Sequence, residues 1–291
     1  MNQSLREVLA RAEAVLRHVE TLLPKPPAAP NWDSGCIAWR YRKRAGGHGV
    51  LEPVRHVAAI PLDELQNIDT QKEKIQRNTR QFVEGRPANN VLLTGARGTG
   101  KSSLIKACLV EYAAQGLRLI EVDKSDLADL VDIVEIVATR SERFIVFCDD
   151  LSFEDGEFSY KALKSALDGS VAGASPNVLI YATSNRRHLL PEHMTDNLTY
   201  RRGEEGEMHP GEVVEEKISL SERFGLWISF YSFSQDEYLA IVTHWLASFG
   251  LFGSHIDTAR PLALIWSLER GSRSGRVAYQ FARDYAGRYG E

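Results

Sequence analysis

The stretch Gly95-Ala96-Arg97-Gly98-Thr99-Gly100-Lys101-Ser102 limits the possible folds of this chain more than any other feature. It matches the P-loop pattern at every fixed position. Residues 90–94 before it favour a short buried strand, and residues 103–110 after it favour a helix. A strand-to-helix turn of this kind points successive backbone N–H groups into one concavity, where a phosphate binds. The stretch therefore predicts a nucleotide site, with Lys101 on the β- and γ-phosphates and Ser102 on Mg²⁺.

The composition is that of a soluble globular protein with one large or two smaller domains. The chain has 291 residues, of which 43% are hydrophobic and 25% charged, and a net charge of −4 argues weakly against broad affinity for nucleic acids or membranes. It has no apolar run that could span a bilayer and no signal-peptide core, so we expect no membrane partner and a cytoplasmic location. Three unclustered cysteines (Cys36, Cys108 and Cys148) are expected to be reduced core residues.

Short apolar runs alternate with helical patterns from residue 91 onwards. Strands are predicted at 90–94, 117–122, 143–150, 177–183 and 226–231. Helices are predicted at 70–83, 103–116, 126–138, 158–172, 234–249, 261–269 and 276–285. This alternation favours an α/β fold, in which a five-stranded parallel sheet carries helices on both faces and binds ligands at the carboxyl ends of its strands.

Three segments lie outside this alternating pattern. Residues 3–23 have the apolar spacing of an amphipathic helix, and the proline-rich residues 24–30 indicate a linker. Residues 36–44 mix basic and aromatic side chains, which is typical either of an edge strand or of a short nucleic-acid-binding strip. Residues 191–217 are charged and lack periodicity, so we expect a surface loop.

We divide the chain into an N-terminal extension at 1–60, an α/β nucleotide-binding core at 61–233 and a helical lid at 234–291. The C-terminal part is the lid because its predicted elements are all helical and begin with the capping box Ser234 to Glu237.

Two adjacent acids end the third predicted strand. Asp149 follows the apolar run 144–148, and a carboxylate at that strand tip is expected to bind Mg²⁺ together with Ser102. Asp150 is the candidate that accepts a proton from the attacking water or orients that water. Because aspartate is one methylene shorter than glutamate, hydrolysis is expected to be slow, or Glu154 assists.

Polar and apolar candidates flank this centre. Asn185 follows the fourth strand and is a candidate for positioning water against the γ-phosphate, the alternative being a turn-forming asparagine. Leu65 and Ile68 precede the P-loop and are candidates for contact with the adenine base, the alternative being core packing.

Two arginines further along the chain are candidates for contact with phosphate. Arg223 lies just before the fifth strand and is either an arginine finger that acts on a neighbouring subunit's ATP or a surface arginine. Arg276 begins the last predicted helix and could fold back onto the phosphates, with Arg273 as the rival candidate.

These stretches, in this order, resemble the AAA+ ATPases over residues 62–289. The resemblance implies Walker A at the P-loop, Walker B at Asp149-Asp150, sensor 1 at Asn185, the finger at Arg223 and sensor 2 at Arg276. More closely, residues 87–93, 148–154 and 182–191 are similar to a bacterial family of predicted AAA+ ATPases known as a domain of unknown function. The resemblance implies ATP and Mg²⁺ as cofactors and a homo-oligomer that uses Arg223 in trans.

The resulting site has three sets of residues. Residues expected to bind the nucleotide are Leu65, Ile68, Gly95, Ala96, Arg97, Gly98, Thr99, Gly100, Lys101, Ser102 and Ser103. Ser102 and Asp149 are expected to bind the metal. The catalytic set is Lys101, Asp150, Asn185, Arg223 and Arg276.

The expected function is Mg²⁺-dependent binding and hydrolysis of ATP, coupled to the remodelling or loading of an unidentified protein client. The aromatic pore loop of polypeptide translocases is missing after the second strand, and no helix-turn-helix signature ends the chain. Two alternatives stay open. One is a slow nucleotide switch, which the Asp-Asp pair favours; the other is a DNA-associated loader, which rests on the same pair and on residues 39–44.

Overall fold

A computed structural model gives the fold of most of the chain. It describes residues 11–18, 30–32, 35–43, 49–153, 158–168, 175–186, 189, 201–202, 208–209, 220 and 222–290. The predicted linker, nearly all of the predicted loop at 191–217, much of the predicted N-terminal helix and Glu154 lie outside these residues.

The centre of the structure is a seven-stranded sheet. Its strands are β1 (Ala38–Lys43), β2 (Gly49–Pro53), β3 (Val91–Gly95), β4 (Leu117–Glu121), β5 (Arg143–Cys148), β6 (Val178–Ser184) and β9 (Leu226–Phe230). Their spatial order is β2-β1-β4-β5-β6-β3-β9. A separate antiparallel pair consists of β7 (Arg201–Arg202) and β8 (Met208–His209).

The prediction of five strands in the sheet is wrong, because the N-terminal segment adds two more. The five predicted strands are all present and parallel, with β3 between β6 and β9. Strand β1 pairs in parallel with β4, and β2 pairs antiparallel with β1 at the edge of the sheet. Alternating polarity indicates that residues 38–43 form a half-buried strand, but it contains no information on which sheet that strand joins.

The basic residues of β1 form ion pairs. Trp39 and Tyr41 are buried, whereas Arg40 Nη2 lies 2.8 Å from Glu121 Oε2 and Lys43 Nζ lies 2.9 Å from Asp129 Oδ1. The side chains therefore alternate between core and solvent, as the strand interpretation of this segment requires, and acidic partners face two of its cations.

Helices cover both faces of the sheet, as predicted. The helices of the described residues are α1 (11–18), α2 (Asp69–Val83), α3 (Lys101–Tyr112), α4 (Leu130–Val137), α5 (Phe158–Asp168), α6 (Gln235–Ser248), α7 (Ser254–Glu269) and α8 (Gly275–Tyr289). All residues of α1 are exposed, so it does not belong to these covering layers. Buried side chains of α2, α3 and the last three helices form one core cluster, and those of α4 and α5 form the other on the opposite face. No helix among the described residues is long and apolar enough to cross a membrane.

The last three helices pack against one another and form the lid. The predicted capping box begins α6: Ser234 Oγ accepts from Glu237 N, and Glu237 Oε2 accepts from Ser234 N. Helix α7 begins at Ser254, so its predicted start at Pro261 is wrong. A proline inside a helix removes one backbone donor and crowds the carbonyl of residue i−4, but buried Ala259 and Ala263 hold this helix in the core on both sides of it.

The lid contacts the α/β core beside the P-loop. Asn67 Nδ2 donates to Glu237 O (3.1 Å), and His244 Nε2 lies 2.5 Å from Glu64 Oε2. The division at residues 60 and 233 stays a prediction, although β1 and β2 pair into the same sheet as the core strands.

The three cysteines are free thiols. Cys108 and Cys148 are buried, and burial raises the pKa of each thiol to about 12. Thiols with such high pKa values are neutral at pH 7, so these two act as small core residues.

Candidate functional site

The P-loop joins β3 to α3, and close contacts determine its backbone. Gly95 has φ of 120°, and a Cβ there would lie 1.8 Å from Phe230 O on the neighbouring strand β9. Gly98 has φ of 72°, and a Cβ there would lie 2.8 Å from Ser274 Oγ. Both positions therefore require glycine, the first because of the sheet and the second because of the lid.

A cavity of about 540 Å³ lies over this loop, between the α/β core and the lid. The polar part of its lining contains P-loop residues together with Asp149, Asp150, Thr183 and Asn185 at the carboxyl ends of β5 and β6. The apolar and aromatic part of its lining consists of Ile60, Leu65, Ile68, Phe233, Ile241, Trp245 and Tyr279. A cavity of this size that combines polar and apolar lining suits a ligand with a charged tail and a planar base.

Lys101, the first residue of α3, is 6% exposed and uses its ammonium group fully. Its Nζ donates to Gly95 O (2.8 Å), Ala96 O (2.7 Å) and Asn185 Oδ1 (3.0 Å). Burial lowers the Lys101 pKa to about 8, an effect that the nearby carboxylates of Asp150 and Asp149 oppose. A phosphate that enters the site would replace these neutral acceptors with charged ones and so strengthen the bonds.

Ser102 and Asp149 lie together, as the metal-site prediction requires. Ser102 Oγ donates to Asp149 Oδ1 across 2.6 Å, and both residues line the cavity. No group of three or more His, Cys, Asp or Glu side chains in the described part of the chain could hold a metal ion. One carboxylate and one hydroxyl, completed by phosphate oxygens and water, fit Mg²⁺, which is usually bound through few protein ligands.

Asp150 and Asn185 form a direct pair. Asn185 Nδ2 donates to Asp150 Oδ1, while the Oδ1 atom of the same amide accepts from Lys101. Asp150 has φ of 52°, a left-handed conformation that is uncommon outside glycine. This backbone directs its carboxylate towards the amide and the cavity.

The predicted base contacts belong to the apolar part of the cavity lining. Leu65 and Ile68 are also buried and belong to the core cluster that includes α3, so packing and base contact are compatible roles. Lys72 Nζ holds the segment in place by donating to Leu62 O and Leu65 O.

The structure distinguishes between the two lid arginines. Arg276 lines the cavity, and its backbone N donates to Gly98 O of the P-loop (3.3 Å). Arg273 is not among the residues that line the cavity. Arg276 is therefore the stronger candidate for contact with phosphate.

Arg223 lies away from the cavity, in the turn before β9. It is partly buried, and its backbone N donates to Leu220 O. A role in catalysis would therefore require a second subunit.

Several cavity residues were not predicted from the sequence, and Thr183, Trp245 and Tyr279 are three of them. For two of these three, the spacing from a predicted site residue could have indicated a place in the site. Thr183 lies two positions before Asn185, on the same face of β6, and Tyr279 lies one helical turn after Arg276. Trp245 had no such signal, because only the packing of α6 brings it to the cavity.

Affinity for ATP is expected to decrease above about pH 8. A protonated Lys101 would bind phosphate better than a neutral one, and burial lowers its pKa to about 8. Below pH 7 the group is already charged and affinity is constant, whereas each pH unit above 8 lowers affinity by up to about tenfold because binding must first take up a proton.

Fluorescence titrations with an ATP analogue between pH 6.5 and 9.5 measure this pH dependence. Calorimetry at pH 8.5 in buffers with different ionisation enthalpies measures the proton uptake. A constant affinity across this range would contradict the assignment of Lys101 to the phosphates.

Known structures have a similar fold. Orc1 from Aeropyrum pernix, solved in complex with DNA, is 16% identical with a TM-score of 0.51, and the match covers 78% of this chain and 62% of that chain. A proline-to-glycine mutant of Thermotoga maritima RuvB is 18% identical with a TM-score of 0.50, over 77% of this chain and 64% of that chain. This chain spans less than two thirds of either protein, and at these identities the likeness shows the fold alone.

Sequence comparison identifies the family. No curated protein matches the chain. The profile of a family described as "Protein of unknown function (DUF815)" matches residues 34–289, which include β1, β2, the α/β core and the lid. The chain therefore belongs to the DUF815 family, and its fold is that of the AAA+ ATPases.

Proposed function

We propose that this chain binds ATP with Mg²⁺ and hydrolyses it, and that the nucleotide state controls the remodelling or loading of a protein client. One observation carries the proposal. Hydrogen bonds join five side chains of the polar cavity lining: Lys101, Ser102, Asp149, Asp150 and Asn185. A buried lysine, a hydroxyl–carboxylate pair and an acid–amide pair together suit phosphoryl transfer to water.

Each residue has a distinct task in binding. The P-loop backbone N–H groups and Lys101 bind the phosphates, and Arg276 reaches them from the lid. Ser102 and Asp149 would hold Mg²⁺, which neutralises charge on the β- and γ-phosphates. The apolar part of the lining would enclose the base through Leu65, Ile68, Trp245 and Tyr279.

In hydrolysis, Asp150 accepts a proton from the attacking water or orients it. Asn185 contacts both Asp150 and Lys101, so its amide can position water between the acid and the γ-phosphate. Lys101 stabilises the charge that develops on the transferred group.

The lid would transmit the nucleotide state. Its helix α8 contacts the P-loop directly through Arg276 N and Gly98 O, and Asn67 links the segment before the P-loop to α6. A change at the phosphates would therefore change the angle between lid and core, which is a hinge motion that a partner can sense.

The active unit is proposed to be a homo-oligomer in which Arg223 of one subunit acts on the ATP of the next. Since Arg223 lies outside its own cavity, dilution should separate it from the site that it serves. The hydrolysis rate per subunit is expected to rise with protein concentration, together with light scattering in the presence of ATP and Mg²⁺.

The variant Arg223→Ala is expected to keep the low rate of the dilute protein at every concentration. Arg270→Ala serves as its control, because this exposed lid arginine stacks over Trp266 away from the cavity. A rate per subunit that is independent of concentration would contradict the shared site.

A slow nucleotide switch is the second candidate function. The short Asp150 side chain favours it, because its carboxylate already bonds to Asn185 and has one methylene less with which to reach water. Phosphate release measured in steady state, with and without candidate clients, distinguishes this switch from an active ATPase.

A nucleic-acid partner has less support. Three cations of the basic strip, Arg40, Arg42 and Lys43, each face an acidic side chain. Salt-dependent binding to single- or double-stranded DNA would support a DNA-associated loader, and the absence of binding at low salt would contradict that function.

A further inference from the structure

A buried hydroxyl with no task in the proposed reaction lies at the centre of the site. Thr183, near the end of β6, is 2% exposed. Its Oγ1 donates to Asp149 Oδ1 (2.5 Å) and accepts from Asp150 N (2.9 Å). One side chain therefore connects the carboxylate of the first acid to the backbone of the second.

The hydrogen bonds to Asp149 fall on one of its two oxygens. Oδ1 accepts from Ser102 Oγ, Thr183 Oγ1 and Asp150 N, whereas Oδ2 accepts from no residue that the structure describes. If Ser102 turns its hydroxyl to the metal, as proposed above, Thr183 and Asp150 N stay on Oδ1. These two donors would keep the carboxylate in one orientation, with Oδ2 available to a cation.

Thr183 also holds the backbone that follows. Its carbonyl oxygen accepts from Leu151 N (2.7 Å), and the next residue, Ser184, donates through Oγ to Leu151 O (2.6 Å). Between these fixed points Asp150 has its left-handed φ of 52°. The end of β6 thus contacts Asp149, Asp150 and Leu151 in succession. The residue with the uncommon φ, Asp150, is the one whose backbone N–H donates to the Thr183 hydroxyl.

We propose that Thr183 is the positioning residue for both acids: its hydroxyl orients the Asp149 carboxylate towards Mg²⁺ and holds Asp150 in the conformation that meets Asn185. The inference rests on the proposed function, since it assigns no chemistry to Thr183 itself. It also gives a physical reason why a short Asp150 can serve here, because the left-handed backbone brings its carboxylate to the amide.

The test compares threonines at adjacent levels of two paired strands, since Thr94 lies opposite Ser184. Thr183→Val keeps the shape of the side chain but removes the hydroxyl. The matched control is Thr94→Val: Thr94 is equally buried on the neighbouring strand β3, and its Oγ1 accepts from Trp227 Nε1 rather than serving the acids. Thr183→Ser restores the hydroxyl, and Thr183→Cys offers a small side chain with a weak donor if the valine variant does not fold.

The measured quantity is the Mg²⁺ concentration that half-saturates the binding of a fluorescent ATP analogue, with affinity in EDTA as the reference. Thr183→Val is expected to raise this concentration by about 10- to 100-fold, as loss of a group that orients a metal ligand does, while affinity in EDTA changes less than about twofold. Electron paramagnetic resonance of Mn²⁺ in the nucleotide complex gives a second readout without turnover. Thr183→Ser should recover most of the metal affinity, and Thr94→Val should not weaken it.

Three results would overturn the inference. Equal effects of Thr183→Val and Thr94→Val would mean that the hydroxyl only supports the sheet. An unchanged Mg²⁺ requirement in a folded Thr183→Val or Thr183→Cys protein would show that the Thr183 hydroxyl does not orient the Asp149 carboxylate. Failure of the unmodified protein to bind the nucleotide in EDTA and in Mg²⁺ would overturn the proposed function itself, which the first two results would leave intact.

Discussion

Lys101→Ala is expected to weaken ATP binding by about 100- to 1,000-fold. The side chain is buried, and its ammonium group lies within the P-loop, where phosphate oxygens would replace its present acceptors Gly95 O, Ala96 O and Asn185 Oδ1. Loss of two charge-assisted bonds at about 1.5–2 kcal/mol each lowers the binding free energy by about 3–4 kcal/mol. This free-energy difference corresponds to the expected change in affinity. Titration of the variant with a fluorescent ATP analogue measures it.

A second lysine of the same helix provides the control. Lys106 lies on α3 but does not line the cavity, so Lys106→Ala removes the same charge without touching the phosphates. The affinity of Lys106→Ala for ATP is expected to stay within about twofold of that of the unmodified protein, because Lys106 is only partly buried and solvent screens its charge. Unchanged affinity in Lys101→Ala would refute the nucleotide site altogether.

Asp150→Asn is expected to slow hydrolysis by about 100- to 10,000-fold, the range that a general base contributes. Asparagine tolerates the left-handed φ of residue 150 about as well as aspartate, so the turn should persist. Its side-chain oxygen can still accept from Asn185 Nδ2. The substitution therefore removes basicity and charge while it keeps the local geometry.

The two proposed functions predict different results for this variant. For an active ATPase, single-turnover measurements should show the rate fall while ATP affinity stays within a few fold. For a slow switch, the unmodified protein already hydrolyses ATP so slowly that the substitution changes little. Asp132→Asn, on the exposed side of α4, controls for the loss of one negative charge; a comparable loss of rate in that variant would exclude Asp150 as the base.

The short-range parts of the site follow from sequence because they depend on neighbours in the chain. The P-loop lies between β3 and α3 as predicted, and its pattern can be recognised within one short stretch of the chain, although Phe230 and Ser274 give the reason for two of its glycines. Asp149 and Asn185 could likewise be placed, since parallel strands bring their carboxyl ends to one edge of the sheet. The five parallel strands follow from apolar runs of strand length separated by helical ones.

Other features needed contacts between distant segments. The alternation in residues 38–43 favours an edge strand over a nucleic-acid strip but does not record which strands lie beside it. Pairing with β4 on one side and with β2 on the other places this strand inside the sheet, with β2 at the edge. The choice of Arg276 over Arg273 depended on how α8 packs against Gly98.

By itself, the sequence determined the parallel α/β core, the P-loop turn between β3 and α3 and the acids and amide at the strand ends, because periodicity and consecutive motifs encode them locally. Only the tertiary structure decided that β1 and β2 extend the sheet, that Trp245 and Tyr279 line the cavity and that Thr183 joins the two acids. The physical reason is that hydrogen bonds and packing between residues far apart in the chain depend on how strands and helices are arranged in space, and no local pattern records that arrangement.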